Sequence, residues 1–135
     1  IMENGSHFYE ILDLGFGRCR FALACRKGTD FFGGYKAKTV ASKYPNVARQ
    51  FFESRAMDVR IIKIEGSVEL APLLGLADGI VDIVETGTTL RENDLTVIEE
   101  FMPISARFIA NKASYKFKYA QLTELLNKMK EALAK

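Results

Sequence analysis

Ile80-Val81-Asp82-Ile83-Val84-Glu85-Thr86-Gly87-Thr88-Thr89-Leu90 decides how the chain is read, and the rest of the sequence is placed around it. An apolar strand ends in carboxylates and runs into a turn of small residues. In open α/β sheets, ligands bind at the carboxyl ends of strands. Gly87 lets the backbone bend so that successive N–H groups point inward, and Thr86, Thr88 and Thr89 add hydroxyl donors. A helical turn opened within residues 86–93 adds the positive end of its dipole, which completes a phosphate cradle. Carboxylates beside such a cradle repel a bare phosphate. A phosphorylated ribose resolves the conflict, because its hydroxyls donate to Asp82 or Glu85 while its 5-phosphate rests on the loop. Magnesium can screen the charges and bridge to a pyrophosphate. Taken alone, the same turn also fits a capped surface loop.

Working outward, alternating apolar residues predict strands over residues 9–14 and 18–25, the second with Cys19, Phe21, Leu23 and Cys25 on one face. A shorter strand is expected over residues 39–42. Pro45 opens a helix, since its missing N–H would be unpaired there anyway. Val47, Ala48, Phe51 and Phe52 form its apolar face, and Arg49 can pair with Glu53 on the other. Residues 59–64 read as a β-branched strand. Ser67 is the expected N-cap of a short helix through Leu74, with Glu69 in its first turn. Two more strands are expected over residues 96–102 and 105–111. Leu122, Leu125, Leu126, Met129 and Leu133 mark the packing stripe of a terminal amphipathic helix. Strands alternating with helices imply an α/β fold with a largely parallel sheet.

Composition narrows the function classes. The chain has 135 residues, 48% apolar and 27% charged, with a net charge of +2. Those values fit a globular protein with its own core, and give no sign of broad nucleic-acid binding. The basic cluster over residues 112–118 reads as a solvated helix entry. No apolar run reaches membrane length. Six residues of extended strand hold Cys19 and Cys25 about 20 Å apart. A disulfide needs Cα atoms within about 7 Å, so both thiols are expected to be free, as suits a reducing cytoplasm. The single histidine, His7, has no paired base and reads as an exposed loop residue.

The upstream residues carry a longer pattern. Glu69, Gly75-Leu76-Ala77, Ile80-Val81-Asp82-Ile83 and Thr86-Gly87-Thr88-Thr89-Leu90 together resemble the signature of ATP phosphoribosyltransferases. Gly66-Ser67-Val68-Glu69-Leu70-Ala71-Pro72 is similar to that family too. So are Asp13-Leu14-Gly15-Phe16-Gly17 with Cys19-Arg20, Ser42-Lys43-Tyr44-Pro45-Asn46, and Ile104-Ser105-Ala106-Arg107. The resemblance implies two α/β lobes of the type II periplasmic-binding-protein kind, joined by crossing strands. It implies a mixed, mainly parallel sheet and transfer of a phosphoribosyl group from 5-phosphoribosyl 1-pyrophosphate to N1 of ATP, with Mg²⁺. This is the first step of histidine biosynthesis.

By position in that pattern, residues 86–90 would hold the 5-phosphate. Asp82 and Glu85 would lie near the ribose, as the candidate catalytic carboxylates. Glu65, Gly66, Ser67, Val68 and Glu69 would line the same cleft. The family's metal ligands are not placed by these residues. A homo-oligomer and a partner subunit similar to histidyl-tRNA synthetase are implied, as in the short form of the family. Neither nucleic acid nor membrane is expected as a partner.

Departures sharpen the expectations. Relatives begin well upstream, in a segment that builds most of a first lobe. Residues 26–102 are therefore expected to form the second, phosphoribosyl-binding lobe. Residues 1–25 and 103–135 are then crossing strands, a terminal helix and remnants of the first. Cys25-Arg26 stands where relatives have a small residue and proline. Ala56 replaces a common glycine, which costs about 1 kcal/mol if its backbone needs positive φ. Two rivals stay open: a non-catalytic phosphoribosyl-binding lobe, and a type I phosphoribosyltransferase. In the latter the acidic pair is usually adjacent, whereas Asp82 and Glu85 are three apart.

Overall fold

The computed structural model describes residues 3, 8–15, 17–34, 37–105, 107–111 and 118–134. His7, Phe16, Ala106 and most of the basic cluster at 112–118 lie outside the described residues. The chain divides into two compact units, one of Glu3–Arg18 with Ser105–Lys135 and the other of Cys19–Ile104.

The larger unit is built on five strands, β2 (Cys19–Arg26), β3 (Lys38–Ser42), β4 (Val59–Lys63), β5 (Gly79–Val84) and β6 (Leu95–Ile104). Their order is β4-β3-β5-β2-β6. β3 runs parallel to β4 and β5, while β2 is antiparallel to β5 and β6. The sheet is mixed, as expected, but parallel ladders hold only half of its pairings, because β2 enters from the opposite end. This strand also corrects the boundaries drawn from sequence. Residues 19–25 were expected outside the larger lobe, yet β2 pairs on both edges and forms the inside of its sheet. Similarly, β6 runs on to Ile104 and carries Pro103 with it.

β2 explains the layering. Phe21, Leu23 and Cys25 face one core cluster, and Ala22 and Ala24 face the other. All five are buried, since alternate side chains leave opposite faces of a strand covered on both sides. Helix α1 (Pro45–Ser54) covers the first face with Val47, Ala48, Phe51 and Phe52. The ring of Phe51 stacks on Phe101 at 4.1 Å between centroids. Val68, Ala71, Leu90 and Leu95 cover the second face. Arg49 donates to Asn46 Oδ1 at 2.8 Å, not to Glu53 as expected. The predicted helix after Ser67 is a single 3₁₀ turn, Val68–Leu70, and the Ser67 side chain makes no capping bond. Neither cysteine is in a disulfide, as expected, and burial pushes each thiol up from its ordinary range.

Ala56, just past α1, has φ +54°. A Cβ in this left-handed region clashes with the following carbonyl. Ala56→Gly is therefore expected to stabilise the fold by about 1 kcal/mol, less the entropy glycine gains in the unfolded chain. A urea midpoint that rises at unchanged slope would report the gain; a lower midpoint would contradict the strain.

In the smaller unit, β1 (Phe8–Asp13) pairs antiparallel with β7 (Arg107–Asn111), with an irregularity between Glu10 and Leu12. Arg107 pairs with Glu10 and lies 3.4 Å from Asp13, and Ser105 Oγ donates to Asp13 Oδ1 at 2.8 Å. The Gly15 N–H donates to the same oxygen at 3.0 Å. These bonds, with the arginines behind them, hold the Asp13 carboxyl below its usual range. Helix α3 (Tyr119–Leu133) carries the expected stripe, but it is only half covered. Leu122, Leu126 and Met129 are partly buried, and Leu125 and Leu133 are exposed.

Candidate functional site

A strand that turns sharply at its carboxyl end leaves backbone donors pointing outward, and β5 does so after Val84. Gly87 sits at φ +78°, in the left-handed region, and passes the chain into helix α2 (Thr88–Glu92). The loop closes on itself. Thr86 and Thr88 hydroxyls share a hydrogen bond at 2.9 Å, and the Thr88 N–H points to Thr86 Oγ1 at 3.4 Å. Arg91 reaches back to donate to Thr86 O at 3.1 Å and Thr88 Oγ1 at 3.3 Å. Asn93 Nδ2 donates to Thr89 O at 2.8 Å. Thr86, Thr88 and Thr89 remain exposed, whereas Leu90 is buried and plugs the loop into the core. Leu90 thus serves as an anchor, and only its backbone is left to meet a ligand. Helix α2 has five residues, so a long-helix dipole adds little; the donors are the loop's own amides and hydroxyls.

A cleft of about 260 Å³ opens over this loop, lined by Glu69, Asp82, Ile83, Val84, Glu85 and residues 86–90. The structure therefore brings together all of the predicted residues from Asp82 onward, with Glu69 from the upstream run. It does not bring in the rest of that run. Val68 is buried in the core, and Glu65, Gly66 and Ser67 are exposed and not part of the lining, with Glu65 3.5 Å from Lys63. The reason is the 3₁₀ turn, which rotates Val68 inward and leaves Glu69 over the cleft.

Asp82 is the half-buried member. Burial raises its carboxyl above the usual range, and the charge of Glu69 adds to this. The Ile83 N–H, donating to Asp82 Oδ1 at 2.8 Å, and the charge of Lys43 act the other way. Three further residues, which the motif did not single out, shape the site. Arg20 on β2 donates to Glu85 O at 2.9 Å and lies 2.6 Å from Glu100, fixing the end of β5. Arg91 buttresses the loop. Lys43 follows β3, and its charge acts on the Asp82 carboxyl. Arg20 and Lys43 sit inside the family-like segments quoted above, but nothing local in the sequence says that strands more than thirty residues apart meet there. Among the described residues, no three His, Cys, Asp or Glu side chains converge as metal ligands. Asp82 and Glu85 nonetheless fit the usual magnesium pattern of one or two carboxylates completed by substrate phosphates.

The α/β lobe recurs in periplasmic binding proteins. The arginine-binding protein of Thermotoga maritima in its holo form superposes with a TM-score of 0.63 at 15% identity, over 94% of this chain and 55% of that one. This shows the fold alone. The model of the ATP phosphoribosyltransferase family, HisG, matches residues 1–131, and the chain belongs to that family. An ATP phosphoribosyltransferase of Clostridium kluyveri is 55% identical over 129 residues, covering 96% of this chain and 59% of the relative. One from Clostridium botulinum is 53% identical over 133 residues, covering 98% and 63%. The ATP phosphoribosyl transferase (HisG:HisZ) complex of Thermotoga maritima superposes with a TM-score of 0.85 at 37% identity, over 98% of this chain and 65% of that one. The chain thus spans about three-fifths of the length of the curated relatives it matches.

Proposed function

We propose that this chain provides the phosphoribosyl-binding lobe of an ATP phosphoribosyltransferase. The reaction joins N1 of ATP to C1 of 5-phosphoribosyl 1-pyrophosphate and opens histidine biosynthesis. The observation that carries the reading is the cleft in which the exposed Thr86–Thr88 hydroxyl pair adjoins Asp82, Glu85 and Glu69. Residues 86–90 take the 5-phosphate through amides and hydroxyls, and Asp82 and Glu85 accept from the ribose hydroxyls. The C1–O bond breaks with its electron pair leaving on pyrophosphate, and the C1–N1 bond forms. Carboxylates beside C1 stabilise the positive charge that develops there, and orientation supplies the rest. Magnesium, held by these carboxylates together with the substrate phosphates, would screen the leaving group. A HisZ-like partner subunit, a homo-oligomer and a cytoplasmic location belong to the same reading. The relative solved as a HisG:HisZ complex supports the partner. Among the described residues no helix is long and apolar enough to cross a membrane.

Calorimetric titration of this chain with 5-phosphoribosyl 1-pyrophosphate and Mg²⁺, then ATP, tests the reading. Saturable binding of the sugar is expected. Thr88→Ala with Thr89→Ala should weaken it roughly 10- to 100-fold, as two solvent-exposed hydrogen bonds of about 0.5–1.5 kcal/mol each are lost, at unchanged thermal midpoint. Unaltered affinity in the double variant would sink the cradle. A second reading, a lobe that binds the sugar without catalysis, is favoured by the cleft lying wholly within one unit. Turnover with both substrates present distinguishes the two.

A further inference from the structure

Continued past its last pair, the register of β3 and β5 brings Lys43 level with Asp82. β3 and β5 pair in parallel with Val40 opposite Gly79 and Ala41 opposite Ile80. Past that ladder, the buried Ser42 Oγ donates to Val81 O at 2.6 Å and accepts from the Tyr44 N–H at 2.9 Å. The two strand ends therefore stay in step, and the next residues along are Lys43 and Asp82. Residues two apart on a strand share a face. Ile80 lies in the core cluster that also holds Val68 and Leu90, so Asp82 stands on that same face, where the cleft opens, and Lys43 is the first residue past β3 beside it. Lys43 is exposed, and its charge acts on the Asp82 carboxyl.

Asp82 has the phosphate loop on one side and Lys43 on the other. In the order β4-β3-β5-β2-β6, Lys43 belongs to the β3 side, while α2, which continues the loop, packs against β6. A sugar with its 5-phosphate on the loop and its hydroxyls at Asp82 directs its other end toward β3, one strand spacing of about 4.8 Å away. The cleft otherwise presents Glu69, Asp82 and Glu85, so a polyanion needs a cation there.

We propose that Lys43 is a further substrate-binding residue, whose ammonium takes the diphosphate carried at C1 of the sugar and not the 5-phosphate. The inference rests on the phosphoribosyl reading above. A lysine suits it, being a compact charge on a flexible stem that can follow a leaving group.

The test titrates wild type, Lys43→Met and Lys43→Arg with 5-phosphoribosyl 1-pyrophosphate, and separately with ribose 5-phosphate, both with Mg²⁺. Lys43→Met is expected to bind the diphosphate sugar about tenfold more weakly. It should bind ribose 5-phosphate within about twofold of wild type, and Lys43→Arg should recover most of the loss. Thermal midpoints should match, since the side chain is exposed. Equal weakening for both sugars would overturn the proposal, because Lys43 would then act on the loop or only through Asp82. No weakening for the diphosphate sugar overturns it as well, while wild-type binding leaves the phosphoribosyl reading standing. A wild type that binds neither sugar overturns that reading and the role of Lys43 with it.

Discussion

Gly87→Ala is expected to weaken binding of 5-phosphoribosyl 1-pyrophosphate by about 100-fold or more, a larger effect than removing the threonine hydroxyls. Gly87 occupies φ +78°, and a Cβ there would stand 3.1 Å from Arg91 Nη1. The left-handed backbone alone costs alanine about 1–2 kcal/mol. The arginine can yield by a few tenths of an ångström, but doing so loosens its bonds to Thr86 O and Thr88 Oγ1, which curl the loop. Strain and lost buttressing thus act on the same few donors. Calorimetry would read the affinity, and near-UV dichroism would confirm that the Cys19–Ile104 unit keeps its packing. Full affinity in a folded Gly87→Ala protein would mean that the loop's curl is not what binds the sugar.

Leu23→Ala is expected to carry the largest stability loss, about 3–5 kcal/mol. Leu23 is fully buried in β2, opposite Val81 on one side and Glu99 on the other. Its side chain packs in the cluster with Phe21, Val40, Phe51 and Phe52, so truncation leaves a cavity that rigid rings cannot close. A typical domain has only about 5–15 kcal/mol to lose, so the variant should sit near its unfolding threshold at physiological temperature. Urea denaturation measures the loss directly. A drop below about 1 kcal/mol would show that β2 is not the inner strand described above.

Much of this was legible in sequence, and for local reasons. Apolar alternation placed β2 to within a residue or so, because side-chain direction alternates whatever the strand's neighbours are, and a short apolar run ending in carboxylates placed β5. Pro45 and the Val47, Ala48, Phe51 and Phe52 spacing placed α1. Gly87 between threonines marked the loop, since only a few residue types accept its backbone angle. Even the strain at Ala56 was foreseen as a condition, and φ +54° meets it.

What escaped was non-local. Whether residues 65–69 all line the cleft depended on the 3₁₀ turn, a choice between helix types that composition leaves nearly balanced; it kept Glu69 and buried Val68. That β2 belongs to the larger unit depended on which strands pair, and pairing is paid for by long-range ladders invisible to a local window. The sequence by itself determined the chemistry available at residues 82–90: carboxylates, hydroxyls and a permissive glycine in fixed spacing. Only the tertiary structure decided which cations meet it. Arg20 reaches Glu85 across 65 positions of chain, and Ser42 locks onto Val81 across 39, which is what sets Lys43 beside Asp82. Contacts of that kind follow from strand order and register, which arise when both faces of the sheet are buried together.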